Sequence, residues 1–173
     1  MSQLLPLKKE YNWYAMYTRP RFEKRLASEL EYLGFVVFLP LQKKLKQWSD
    51  RKKWVEEPLF RSYLFVYTCE QNRAKAFGTD GFVKYVHFNN VVATIPENII
   101  SNLKILLSSG VELEVVKRKL RKGEMVKVIT GNMIGLEGEF ISYKKKNIIV
   151  IKMEILNQYV STEINLNNVQ LLD

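Results

Sequence analysis

Cys69 and His87 are the single cysteine and the single histidine of this 173-residue chain, so any thiol nucleophile with an imidazole base would have to be built from them. Such a pair needs the ring within hydrogen-bond reach of the thiol and a third group to orient it. Nothing local supports that chemistry. His87 alternates between Val86 and Phe88 as a strand residue does, and Cys69 reads as a structural thiol. The sequence contains no GxxxxGK loop, no HExxH, no GxSxG and no carboxylate pair at helical spacing. The expectation is a protein that binds rather than reacts, with no catalytic residue, no metal and no cofactor.

The residues suited to binding are basic and aromatic. Arg19, Arg21, Lys24 and Arg25 gather where a strand runs into a helix, a place where guanidinium groups and a helix N-terminus can hold phosphates. The same cations also fit a solvated helix face. Lys43, Lys44, Lys46, Arg51, Lys52 and Lys53 lie on a charged excursion that also carries Trp48 and Trp54, which suits backbone contact and base stacking. Phe60, Tyr63 and Phe65, with Tyr17 from an earlier strand, offer more aromatic surface than a small sheet needs. An exposed aromatic pocket of that kind anchors a protein partner.

These groups need elements to hold them. Trp13 to Thr18 reads as a central strand, with Pro20 at the entry to a helix. Phe22, Leu26, Leu30 and Leu33 form that helix's apolar stripe, and Gly34 ends it. Strands are expected at Phe35 to Leu39, Leu59 to Tyr67 and Phe82 to Phe88, and helices at Gln71 to Phe77 and Glu97 to Leu107. The basic excursion between Gln42 and Glu57 reads as a projecting hairpin. This order predicts an α+β, ferredoxin-like unit with helices on one face of an antiparallel sheet over 11–110.

A linker is expected over 111–121. Beyond it, Gly131, Gly135 and Gly138 punctuate a run that otherwise alternates like a half-buried strand, as corners and close approaches in a small barrel require. Strands at Glu124 to Ile129, Gly138 to Ser142, Asn147 to Met153, Tyr159 to Ile164 and Val169 to Leu171 predict a five-stranded SH3-like barrel over 122–173.

Charge divides the chain the same way. Lysine and arginine total 27 against 18 acids, a net +9. Residues 1–110 carry 17 basic and 10 acidic side chains, 111–122 carry five and two, and 123–173 carry five and six. The front unit and linker therefore favour a polyanion, while the near-neutral barrel favours a protein. A lone cysteine fits a reducing cytoplasm, and no stretch reaches the roughly 18 apolar residues of a membrane span.

Trp13-Tyr14 with Arg19-Pro20, Pro58-Leu59-Phe60 with Tyr63-Leu64-Phe65-Val66, and Gly123 with Val126, Val128, Gly131, Gly135 and Gly138 together resemble the NusG transcription elongation factors, an NGN domain joined to a KOW domain. The likeness covers about 11–172. Within the family the chain resembles the specialised RfaH and UpxY antiterminators more than the general factor, and Trp48 to Lys53, leading into Pro58 to Phe60, resembles the UpxY group, which implies read-through of long operons such as those for capsular polysaccharide.

The resemblance implies a monomeric factor whose pocket, here Tyr17, Phe60, Tyr63 and Phe65, seats the clamp helices of the RNA polymerase β′ subunit and reaches toward the β gate loop. The basic residues would face upstream or non-template DNA. The KOW domain would meet a small-subunit ribosomal protein or Rho through Leu156, Asn157 and Gln158. The chain departs from the family in two places. Arg61-Ser62 replaces the usual Pro-Gly or Pro-Asn, and Ala74-Lys75-Ala76 replaces the polar triplet that RfaH presents to the gate loop. Val126, Val128, Ile129 and Ile148 to Ile151 favour strands, so a barrel that does not refold to helix is expected. A general elongation factor and a KOW-containing ribosomal or RNA-binding protein remain as alternatives.

Overall fold

Trp13 and Ala15 on one side of the first strand, and Tyr14 and Met16 on the other, are all buried, so that strand must lie at the centre of a sheet covered on both faces. The computed structural model describes residues 9–48, 50–116, 123–143 and 146–172. In the front unit, strand β1 (Tyr11–Thr18) leads to helix α1 (Glu23–Tyr32) and strand β2 (Val36–Phe38). A two-stranded ribbon follows, β3 (Leu41–Gln47) and β4 (Lys52–Pro58), and then β5 (Tyr63–Cys69). The chain continues through a 3-10 turn (Glu70–Ala76), β6 (Phe82–Tyr85), β7 (His87–Phe88), β8 (Val91–Val92), β9 (Thr94–Ile95) and helix α2 (Glu97–Ser108).

The main sheet runs β2-β5-β1-β6, antiparallel throughout, with β9 also paired to β1. On one face Tyr14, Met16, Leu64 and Val66 meet Leu26 and Leu30 of α1. On the other Trp13, Ala15 and Phe65 meet Ile100, Leu103 and Leu106 of α2. The Trp13 indole donates to Glu97 Oε2 at 2.6 Å, which pins the start of α2 against the sheet. The two helices therefore cover opposite faces, which corrects the expected one-sided packing. The physical reason is legible in β1, whose apolar side chains run without alternation.

The second sheet is antiparallel in the order β10-β14-β13-β12-β11-β15. Its strands are β10 (Glu114–Val116), β11 (Glu124–Val128), β12 (Glu137–Tyr143), β13 (Lys146–Met153), β14 (Gln158–Glu163) and β15 (Val169–Leu171). Five are those the sequence predicts. The sixth, β10, falls within the stretch expected to be linker: Glu114, Val115 and Val116 pair with Ser161, Val160 and Tyr159 at the sheet edge. Residues 117–121 of that stretch, and residue 122 after it, lie outside the described residues.

Gly135 has φ +88° in the turn between β11 and β12. Gly138 serves a different need, because a Cβ there would sit 2.7 Å from the Val150 carbonyl oxygen of the neighbouring strand. Gly131 shares the left-handed backbone of Gly135 at φ +86°.

The two sheets share one apolar core through α2. Ile100, Leu103 and Leu106 cluster with Val126, Met133, Leu136, Ile149 and Ile151 of the second sheet. Asn102, nearly inaccessible in that helix, donates from Nδ2 to the Glu137 carbonyl at 2.8 Å and accepts from the Glu137 N–H at 3.2 Å. One amide thus satisfies both polar groups of a strand residue in the opposite unit.

Candidate functional site

Tyr17 and Tyr63 face each other at the end of the β1–β5 ladder, ring centroids 5.3 Å apart and edge to face. Both are half-buried. Partial burial, with Tyr17 beside it, pushes the Tyr63 phenol above its usual range, so the ring is a neutral amphipathic surface with a hydroxyl to donate. Phe60 and Phe65 are fully buried and stack edge to face at 5.8 Å, with Phe65 also against Phe38. They are core residues. The expected four-residue aromatic pocket is corrected to an accessible pair resting on a buried one. Residues 63 and 65 point to the same side of β5, but Phe65 lies deeper under α2 and the second sheet.

The turn that presents Tyr63 is held from a distance. Ser62 has φ +64°, and its N–H donates to Oε1 of the buried Glu23 at 2.8 Å. Glu23 opens α1 and spends its carboxylate on this turn.

Tyr17 and Tyr63 line a cleft of about 1390 Å³ between the two units. Arg61 and Lys44 share that wall, and Leu113, Thr162 and the segment Leu156–Gln158 form the opposite one. The residues expected to form two separate binding surfaces thus border one space. Leu156 and Gln158 are buried, leaving Asn157, at φ +49°, as the exposed member of its loop. Gln42 crosses the cleft base, its Nε2 donating to the Leu113 carbonyl at 3.2 Å.

The cations divide into two groups. Arg19 and Arg25 converge on Asp80 at 3.5 and 2.8 Å and lie over the Phe22 ring. Their charge is partly matched, while Arg21 and Lys24 are exposed alongside. Asp80 is the counter-charge that sequence spacing did not reveal, since it stands 61 residues beyond Arg19.

The ribbon carries the other group. Its register pairs Lys43 with Glu56, Leu45 with Trp54 and Gln47 with Lys52 on one face. Gln42 with Glu57, Lys44 with Val55 and Lys46 with Lys53 occupy the other. The second face meets the cleft through Gln42, Lys44 and Glu57, and the first looks away from it. Lys46 binds Glu57 in a salt bridge that holds the carboxyl below its usual range. Arg51 sits at the tip, its carbonyl accepting from the Trp48 N–H at 2.8 Å.

Cys69 is buried in β5, whereas His87 is exposed on β7 with Nδ1 2.9 Å from the Tyr85 carbonyl oxygen. Among the described residues no cluster of three His, Cys, Asp or Glu side chains could hold a metal ion, and no helix is long and apolar enough to cross a membrane. Ala76 of the triplet Ala74-Lys75-Ala76 is buried under the 3-10 turn, and Lys75 is exposed.

A protein-family model described as transcription termination factor nusG matches residues 11–104, more than half of the chain. Among solved structures, "Domain interaction in Thermotoga maritima NusG" is similar at TM-score 0.51 and 15% identity, over 95% of this chain and 98% of that one. The two conformations of the MjSpt4:Spt5 complex are similar at 15% identity, each over 93% of this chain, covering 98% and 97% of theirs, with TM-scores of 0.29 and 0.30. No curated protein matches significantly. The family match over β1, α1, β5 and α2, on an α+β fold of two antiparallel sheets, places the chain in the NusG family of non-enzymatic transcription factors.

Proposed function

We propose that this protein binds RNA polymerase through its NGN domain and suppresses pausing or termination, acting on a long operon such as one for capsular polysaccharide. The observation that carries the reading is the Tyr17–Tyr63 pair, an accessible amphipathic aromatic surface fixed by a buried turn on a NusG-family sheet. In this reading the pair seats the β′ clamp helices. A factor that favours the moving polymerase must bind that state more tightly than the paused one. A contact to the β gate loop would have to be made without the polar triplet, because Ala74-Lys75-Ala76 offers one exposed cation and the single exposed methyl of Ala74.

Arg21, Lys24 and the ribbon cations face upstream or non-template DNA, with Arg19 and Arg25 held near it by Asp80. The NGN domain spans 11–110 and the KOW domain 122–173, with β10 of the joining segment added to the KOW sheet. The KOW domain meets a small-subunit ribosomal protein or Rho through the loop at Asn157. The operon-specific assignment rests on Trp48 to Lys53, leading into Pro58 to Phe60. The protein works in the cytoplasm as a monomer.

Single-round transcription by the cognate polymerase, on the leader of the neighbouring operon and on an unrelated template, tests this. Read-through on its own leader alone, lost in Tyr63→Ala, is expected. An equal effect on both templates would make the protein a general elongation factor. No effect and no polymerase binding would overturn the reading.

A further inference from the structure

Trp54 is 65% exposed and Leu45 opposite it 50% exposed, on the face of the ribbon that looks away from the cleft. An aromatic and an aliphatic side chain side by side on a solvent-facing strand pair are costly to leave exposed without a partner. The surroundings indicate what that partner is. Lys43 flanks the pair on the same face with Glu56 opposite it, and Lys52 flanks the other side with Gln47 opposite it, while Lys44, Lys46 and Lys53 occupy the reverse side. Positions two apart on a strand recur about every 6.6 Å, so Lys52 stands beside the ring on the side of the tip and Lys43 beside Leu45 on the side of the base.

We propose that this face of the ribbon binds single-stranded DNA, with an unpaired base stacked on Trp54, the neighbouring sugar or a thymine methyl on Leu45, and Lys43 and Lys52 on the flanking phosphates. The proposal rests on the nucleic-acid reading of the ribbon given above and assigns it a face, a strand state and a stacking residue. A duplex shows its phosphates but hides the faces of its bases, so it satisfies the lysines and leaves the indole idle. An unpaired base presents a π-face to the ring whatever its identity, which makes such contacts tolerant of sequence. Leu45 gives no hydrogen bond to a 2′-hydroxyl, and its apolar surface fits deoxyribose better than ribose. Glu56 and Glu57 at the ribbon base set the polarity: the cationic end is the tip, with Arg51, Lys52 and Lys53.

The test uses the full chain and a fluorescein-labelled 15-nucleotide single-stranded DNA of mixed sequence, its duplex, and RNA of the same sequence, read by anisotropy. Single-stranded DNA is expected to bind tightest. Trp54→Ala is expected to weaken it about 5- to 100-fold while leaving duplex binding within twofold, and Trp54→Phe to recover most of the loss. Lys52→Ala is expected to lower the slope of log affinity against log salt by about 0.7. Equal losses on single strand and duplex, no loss with Trp54→Ala, no binding by wild type, or RNA bound as tightly as DNA would each overturn the proposal. Trp54 is exposed, so an unchanged thermal melt separates loss of stacking from loss of fold. Polymerase capture, run in parallel with Tyr63→Ala, scores the polymerase reading independently. A chain that binds the single strand through Trp54 but captures no polymerase would overturn that reading and leave this one standing.

Discussion

Glu23 and Ser62 are 39 residues apart in sequence, and the carboxylate of the first accepts the backbone N–H of the second at 2.8 Å. The contact explains how Ser62 keeps φ +64° at a position where the resembled family uses Pro-Gly or Pro-Asn. A non-glycine residue in the left-handed region costs on the order of 1 kcal/mol, and the buried carboxylate offsets that by satisfying the N–H that the turn leaves without a backbone partner. The turn leads directly into Tyr63, so α1 and the aromatic pair are mechanically linked.

Glu23→Ala should therefore leave the Ser62 N–H buried without a partner and destabilise the protein by about 1–3 kcal/mol in urea unfolding. Ser62→Gly should do the reverse, with a gain of up to about 1 kcal/mol from relieved backbone strain. If both substitutions were neutral, the turn would not depend on this contact.

Asn102 makes a comparable link between the two units. Its amide bonds both the N–H and the carbonyl of Glu137, and both sides of that contact lie near the apolar cluster of Ile100, Leu103, Leu136 and Ile149. Asn102→Ala should weaken the association of α2 with the second sheet by about 1–3 kcal/mol, because two backbone groups lose their partner at once. The expected signature is faster amide hydrogen exchange at Glu137 and its β12 neighbours, with the α1 face of the front sheet unaffected. Equal exchange changes in α1 would show a global rather than an interfacial effect.

Much of this was written in local pattern. The strand at Lys146–Met153 and the start of α2 at Glu97 follow from the run Ile148-Ile149-Val150-Ile151 and from Pro96, and the glycines at 131, 135 and 138 mark turns and a close approach as their chemistry requires. What the sequence hid was depth and long-range pairing. Tyr63 and Phe65 have the same parity on β5, and only the packing of α2 and the second sheet decides that one is accessible and the other buried. Asp80 facing Arg19 and Arg25, Asn102 facing Glu137, and Glu114–Val116 joining β14 all depend on chain segments brought together from tens of residues away. Periodicity carries no information about such partners.

The Lys46–Glu57 pair gives the ribbon a pH dependence whose sign follows from the shift. Hydrogen bonding to Lys46 comes first in depressing the Glu57 carboxyl, and its burial opposes the effect. A carboxyl with a folded pKa below its unfolded value adds stability that is fully present above the unfolded value, about 4.3 for glutamate, and is lost as pH falls through the folded one. Stability of the ribbon should thus be flat from neutral pH down to about 5 and decline below that. Lys46→Met should move the Glu57 carboxyl titration, followed by carbon NMR, back toward the ordinary glutamate range and flatten the acid decline. Both side chains are substantially exposed, so the magnitude is small and sensitive to salt. A Glu57 titration unmoved by Lys46→Met would mean that the pair is not formed in solution, and the cation at 46 would then be as free as its neighbour Lys53 to meet a phosphate.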